Sequence, residues 1–160
     1  DAFNDERRAA GRPPIAIGIG INTGTLMMGT IGEKHRMDGT VISDAVNLAS
    51  RVEALTKTYG VRLLVTQYTV EDLGDPRGYD IRPIDVVVVK GKTRPVTICE
   101  VFQRDPAEQR AAKAGTRDLL QSGVEALARR DMACARRFFE ESLQRLPGDM
   151  AASILLQKCA

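Results

Sequence analysis

Tryptophan is absent from the 160 residues, and four phenylalanines and three tyrosines make up an aromatic share of 4%. That is too few rings for a surface that stacks nucleobases. Histidine occurs once, at His35, which leaves no basis for a histidine-built metal site or a Ser-His triad and reads as an exposed loop residue. Cysteine is scarce and widely spaced, at Cys99, Cys134 and Cys159. The odd number argues against a disulfide framework, the spacing against a metal knuckle, and the three read as reduced thiols of a cytoplasmic protein. Charge of one sign is also lacking, since 23 Lys and Arg face 21 Asp and Glu for a net +2. That balance implies no broad basic footprint for nucleic acid. No apolar run approaches the roughly 20 residues that span a bilayer, so no membrane segment is expected in this chain, and no signal peptide is read at its start. What is present is the composition of an ordinary globular protein, 43% hydrophobic and 28% charged. The length has room for one domain and a small appendage.

Residues 1–13 read as the end of a helix that stops at Gly11, with Pro13 and Pro14 barring continuation. The chain is therefore expected to begin inside an element, as a piece of something longer. Residues 15–21 alternate isoleucine with alanine and glycine, the pattern of a buried strand closely approached by another backbone. With a turn at 22–25 and a returning strand at 26–31, residues 15–31 are expected to form a β-hairpin, followed by a polar loop over 32–39. Gly18, Gly20 and Gly24 are not a phosphate loop, because no helix follows them. A helix is predicted over 43–58, with Ser43 as its cap, Asp44 in its first turn and Gly60 closing it. Its core stripe is Ala45, Leu48, Ala49, Val52 and Leu55. A short buried strand over 62–66, a short helix over 67–73, and strands over 81–89 and 96–102 complete an α+β order with mostly antiparallel pairing.

From Asp105 onward strand formers give way to Ala, Arg, Leu and Glu. A linker helix over 106–114 and a helical hairpin over 116–158 are expected, with Asp131 capping its second helix and a third helix starting after Asp149. The domain division is thus 1–104 and 105–160. Leu119, Gly123, Ala135, Phe139 and Pro147 stand at the offsets of a tetratricopeptide-type repeat. One copy cannot build a solenoid, and the preferred reading is an amphipathic hairpin packed on the main domain or on a partner.

The densest chemical signal is the run from Asp38 to Arg51. Asn47 and Arg51 are four apart, so on a helix an amide and a fixed cation leave the same face. Such a pair suits a ligand whose negative charge grows during reaction, as at a phosphate undergoing displacement. On spacing alone the pair is more often the solvated face of an amphipathic helix. Lys90 and Lys92 could likewise be a solvated turn, Arg62 a surface ion-pair residue and Thr40 an ordinary strand threonine.

Four segments together resemble the class III nucleotidyl cyclases, which make cyclic AMP or cyclic GMP. Residues 18–24 resemble that family's central hairpin. Residues 36–53, Arg-Met-Asp-Gly-Thr-Val-Ile-Ser-Asp-Ala-Val-Asn-Leu-Ala-Ser-Arg-Val-Glu, resemble its signature helix and preceding strand. Residues 62–66, and 89–92 with 95–96 and 100–101, resemble its later strands. The resemblance implies the C-terminal half of a ferredoxin-like cyclase domain, an antiparallel sheet with helices on one face. It implies that Asn47 holds the ribose and that Arg51 stabilises charge on the α-phosphate as the 3′-hydroxyl attacks. Lys92, with Lys90 as second choice, would hold the terminal phosphates, and Arg62 matches a position that can touch them. Thr40 matches the position that reads the purine edge, where Thr accompanies ATP, and Ile42 would lie near the base. A tetratricopeptide-like tail is an arrangement also seen after bacterial cyclase domains.

The sequence departs from the family in one major respect. The resemblance implies two Mg or Mn ions, but the motifs carrying their two aspartates are absent, and Asp38 and Asp44 occupy other positions. Ser43 also stands where the family commonly has Gly. The resemblance implies a dimer with each site built across its interface, so the chain is expected to bind ATP with a partner and to be inactive alone. Its uncovered sheet edges are expected to drive a homodimer or segment exchange. The alternatives are a non-catalytic pseudo-cyclase that dimerises or binds nucleotide, and a protein-interaction module centred on residues 106–160.

Overall fold

A computed structural model describes residues 2–33, 36–88 and 95–160, with backbone alone over 28–33 and 36–42. The first helix, α1 (Ala2–Ala9), ends before Gly11, whose φ of 67° is left-handed. Strands β1 (Ile19–Ile21), β2 (Met27–Glu33) and β3 (Arg36–Ile42) precede α2 (Asp44–Tyr59). Then come β4 (Leu63–Thr66), α3 (Gln67–Glu71), a 3₁₀ turn (Pro76–Gly78), β5 (Ile81–Val87) and β6 (Val96–Val101). Three helices close the chain: α4 (Ala107–Ala128), α5 (Met132–Arg145) and α6 (Met150–Gln157).

The expected hairpin over 15–31 does not form. β1 lies parallel to β4, with Gly20 opposite Leu64, and β2 pairs with β3 in a separate antiparallel ribbon that runs Met27↔Ile42 to Glu33↔Arg36. The segment expected as a polar loop is thus mostly strand. The cause lies at Asn22, which is tied forward instead of folding back. Its Nδ2 donates to the Ala45 carbonyl at 3.1 Å, and its Oδ1 accepts from the Thr66 hydroxyl at 2.8 Å. The Thr23 N–H donates to Thr69 Oγ1 at 3.0 Å. With the turn held against α2 and α3, β1 reaches β4 through a long crossover containing α2, as parallel pairing requires. The four-stranded sheet, in order β1-β4-β6-β5, is therefore mixed.

α2 packs on β1 at very short range. A Cβ on Gly20 would stand 2.3 Å from the Glu53 nitrogen and 2.5 Å from the Ala49 carbonyl oxygen. Gly20 and the buried Leu64 face α2, which leaves Ile19 and Ile21 exposed on the opposite face. On the far side of the sheet β5 carries a bulge. Pro83 opposes Cys99 and Asp85 opposes Ile98, so Ile84 is the extra residue. A bulge bends its strand and re-aims the side chains beyond it. Here Arg82, Ile84 and Asp85 are all buried.

The expected break between a linker helix and a hairpin at about residue 115 is also absent. α4 runs through it without interruption for 22 residues, and the Thr116 hydroxyl bonds back to the Ala112 carbonyl at 3.2 Å. Gly115 has open space around it, so nothing there forces a turn. α5 packs against α4 where Gly123 leaves room for the Phe139 ring, 2.3 Å from a built Cβ. One hydrophobic core joins Leu48 and Val52 of α2, Leu64, Ile84 and Ile98 of the sheet, and Leu120, Phe139 and Leu155 of the last three helices.

Charges are built into that junction. Arg82, 1% exposed, donates from Nε to Glu100 at 2.7 Å and from Nη2 to Asp149 at 3.1 Å. Lys113 of α4 donates to the other Glu100 oxygen at 2.6 Å and to Asp105. Burial alone would lower the Arg82 pKa, but Asp149 and Glu100 outweigh it and hold the guanidinium above its ordinary value.

Candidate active site

Two features of the sequence set the orientation of α2. Ser43 is its cap, with φ −162° in extended backbone, accepting from the Ala45 N–H at 3.0 Å and donating to the Thr25 carbonyl at 2.8 Å. Leu48, Val52, Thr56 and Tyr59 are its buried stripe. Asn47 and Arg51 consequently lie off that stripe and are exposed, one turn apart.

Arg51 lines a hollow of about 600 Å³ with Leu55 and Tyr59 of its own helix, residues 85–88 at the end of β5, and Lys158 just beyond α6. Positions 51, 55 and 59 follow the i, i+4, i+8 row, which winds from the exposed Arg51 to the buried Tyr59. In the wall of this hollow the Tyr59 hydroxyl donates to Asp85 at 2.5 Å. Lys158 donates to the same carboxylate oxygen and to the Tyr59 oxygen at 3.2 Å, and its ammonium lies 5.7 Å from the Tyr59 ring centroid. Burial first, then the hydrogen bond and charge of Asp85, raise the Tyr59 phenol well above its ordinary value, so it is the donor in this contact.

The remaining sequence candidates divide by position. Neither Asn47 nor Arg62 lines this hollow. Arg62 is exposed, and its carbonyl accepts from the Ile19 N–H at 2.9 Å. Thr40 and Ile42 fall on β3, opposite Gly29 and Met27, where the backbone alone is described. Lys90 and Lys92 lie outside the described residues. Sequence reasoning missed Tyr59, Asp85 and Lys158. No signal places Asp85 inside, because the bulge is not written in the alternation of β5, and Lys158 is 107 residues from Arg51. A second hollow of about 650 Å³ opens at the start of α2, lined by Asn22, Thr25, Met27, Ser43, Asp44 and Tyr68 among others.

The resemblance implies two divalent ions. Among the described residues, no group of three or more His, Cys, Asp or Glu side chains could hold a metal ion. Asp85, the carboxylate of the Arg51 hollow, is bound by Tyr59 and Lys158. The described residues do not fit a two-metal centre. Among them, too, no helix is long and apolar enough to cross a membrane.

Residues 2–100 match the family described as adenylate and guanylate cyclase catalytic domain. The chain is 50% identical over 106 residues to an adenylate cyclase of Anabaena cylindrica, covering 63% of this chain and 21% of that protein. It is 37% identical over 146 residues to the terminal-differentiation-specific adenylate cyclase of Dictyostelium discoideum, covering 91% of this chain and 7% of that protein. The second alignment is too long to stop at residue 100 and must include α4 and α5. Among solved structures the chain is similar to the guanylyl cyclase Cya2 at 32% identity and a TM-score of 0.51, over 66% of this chain and 52% of that one. It is similar to the adenylyl cyclase CyaB from P. aeruginosa at 33% identity and a TM-score of 0.50, over 66% and 54% respectively. The chain thus spans 21% and 7% of these two curated relatives and about half of each solved structure.

Proposed function

The chain belongs to the adenylate and guanylate cyclase catalytic-domain family, and we propose that it is the nucleotide-reading part of an adenylate cyclase. The reaction converts ATP to cyclic AMP and pyrophosphate in cyclic nucleotide signalling. The ribose 3′-oxygen forms a bond to the α-phosphorus, the bond to the departing pyrophosphate breaks, and the hydroxyl proton is released. The observation that carries the reading is the exposed pair on α2, Asn47 for the ribose and Arg51 for the α-phosphate, with Arg51 opening on a hollow. A guanidinium suits the second role because it is always charged and presents a planar fork of donors. Lys92, then Lys90, take the terminal phosphates with Arg62, and Thr40 with Ile42 selects adenine. The two Mg or Mn ions are held by a half that this chain does not supply. The test restores such a half and assays with Mg²⁺ or Mn²⁺. Arg51→Ala is expected to lower kcat by about a hundredfold, and a loss under about tenfold, 1.4 kcal/mol, is too small for a transition-state contact.

A dimer is part of the same reading. β1 is an edge strand, and Ile15, Ile17, Ile19 and Ile21 are between 42% and 69% exposed. An uncovered apolar edge of this kind self-associates. Sedimentation of the isolated chain is expected to show a homodimer or a segment-exchanged oligomer, and a monodisperse monomer would refute this.

A pseudo-cyclase that binds nucleotide without turnover is the second reading. It is favoured by the lack of a metal-ligand group among the described residues. The two are separated by the residues preceding Asp1: two aspartates in a strand and a hairpin there support the enzyme, and their absence leaves binding.

A further inference from the structure

The last helix is tied to one strand at both ends. At its start Asp149 caps α6, accepting from the Ala151 N–H at 3.2 Å, and pairs with Arg82 of β5. At its end Lys158 pairs with Asp85, also of β5. Nine residues of helix rise about 13 Å, and three residues of strand advance about 10 Å. Side-chain reach covers the difference, so α6 runs along β5 and both ion pairs close together. The bulge at Ile84 makes this possible. In an unbroken strand Arg82 and Asp85 would point to opposite faces, whereas here both are buried towards the helices.

One of the two ties enters the hollow that Arg51 lines. The geometry points to Lys158 as a positioning residue for the Arg51 face: from the C-terminal helix it holds Asp85 and Tyr59 in the wall against which Arg51 is set. Tyr59, two turns after Arg51 and at the edge of the buried stripe, lines the same hollow and shares its hydroxyl with both Asp85 and Lys158. Without Lys158 the buried Asp85 keeps a single side-chain donor, Tyr59, and the wall loses a cation. The helical tail is then a structural part of the site, not an appended module. The inference rests on the cyclase reading, because Arg51 matters in catalysis under that reading.

The test uses a cyclase that carries this chain with a metal-binding half, and compares Lys158→Met, Lys158→Arg and Arg51→Ala by initial rates. Lys158→Met is expected to lower kcat about fivefold to tenfold with KM within about twofold, the signature of an interaction felt in the transition state. Lys158→Arg, which keeps the charge and can reach Asp85, is expected to recover at least about half of the rate. The Arg82–Asp149 tie should keep α6 docked, so a thermal melt checks that the variant is folded. Should Lys158→Met not fold, Asp85→Asn decides, since it releases Lys158 while keeping a polar partner for Tyr59, and it is expected to give the same kcat loss. Unchanged kcat in the folded variant, a loss confined to KM, or no rescue by arginine overturns the role of Lys158. Full activity in Arg51→Ala overturns the cyclase reading itself, which keeps the two failures apart.

Discussion

A single hydrogen in place of a methyl decides how closely α2 can lie on the sheet. At Gly20 an added Cβ meets backbone atoms of Glu53 and Ala49 at 2.3 and 2.5 Å, and helix backbone cannot swing aside as a side-chain tip can. Gly20→Ala is therefore expected to push α2 outward and to cost about 1–3 kcal/mol, a fall in melting temperature of roughly 2–10 °C. The control is Gly74, where a built Cβ meets nothing within 4 Å and φ is not left-handed. Gly74→Ala should be neutral or slightly stabilising, because it narrows the unfolded ensemble alone. Thermal unfolding followed by circular dichroism compares the two, and equal melting temperatures for both variants would show that the close approach does not constrain the fold. Because Asn47 and Arg51 ride on α2, the same displacement would shift the candidate site. The alternation of isoleucine with alanine and glycine over residues 15–21 anticipated the close backbone approach, but not that the strand would be confined to Ile19–Ile21 or that its isoleucines would be exposed rather than buried.

At the scale of elements, legibility tracked how local the cause is. The helix carrying Asn47 and Arg51 could be read from its Ser43 cap, its apolar stripe and Gly60, since each acts within a turn or two of its own position. Its solvent face, and hence the exposure of Asn47 and Arg51, came with it. Pairing was another matter. Strand β1 was expected to turn back on β2, but the alternation of residues 15–31 does not encode the bonds from Asn22 and Thr23 to Ala45, Thr66 and Thr69, which lie up to 46 positions away. The bulge in β5 was equally silent. Pro83 lacks an N–H, a departure of the kind found at sheet irregularities, but nothing in the sequence says that Ile84 is the extra residue. That one irregularity turns Asp85 inward, and so accounts for one of the three hollow-lining residues that sequence reasoning missed. The expected turn near Gly115 failed for the opposite reason. Glycine permits a break but does not compel one, and helix-forming neighbours on both sides carried α4 through.

At the scale of the whole molecule, the composition shift at Asp105 marks a change of secondary structure within one continuous core. Ile84 and Ile98 of the sheet are buried together with Leu120, Phe139 and Leu155 of the helices. The charges make the dependence sharper. Arg82, 1% exposed, has its carboxylate partners on β6 and at the cap of α6, and the other oxygen of Glu100 is held by Lys113 of α4. Deleting residues 105–160 would leave Arg82 with one partner in place of two and would strip Glu100 of Lys113. Deletion would also bare the apolar face that Ile84 and Ile98 present to Leu120, Phe139 and Leu155. At about 1.5–3 kcal/mol for each large apolar side chain uncovered, that loss is a large part of the roughly 5–15 kcal/mol by which a domain is stable. Residues 1–104 alone are thus expected to lack a cooperative thermal transition and to aggregate, where the full chain melts cooperatively. A folded 1–104 fragment that melts within about 5 °C of the full chain would mean that the junction contributes less than about 2 kcal/mol, contrary to the burial of its charges. If the sheet cannot fold without these helices, substitutions in α4 and α6 will act on the Arg51 site through stability as well as through Lys158, and melting curves must accompany every rate measured on them.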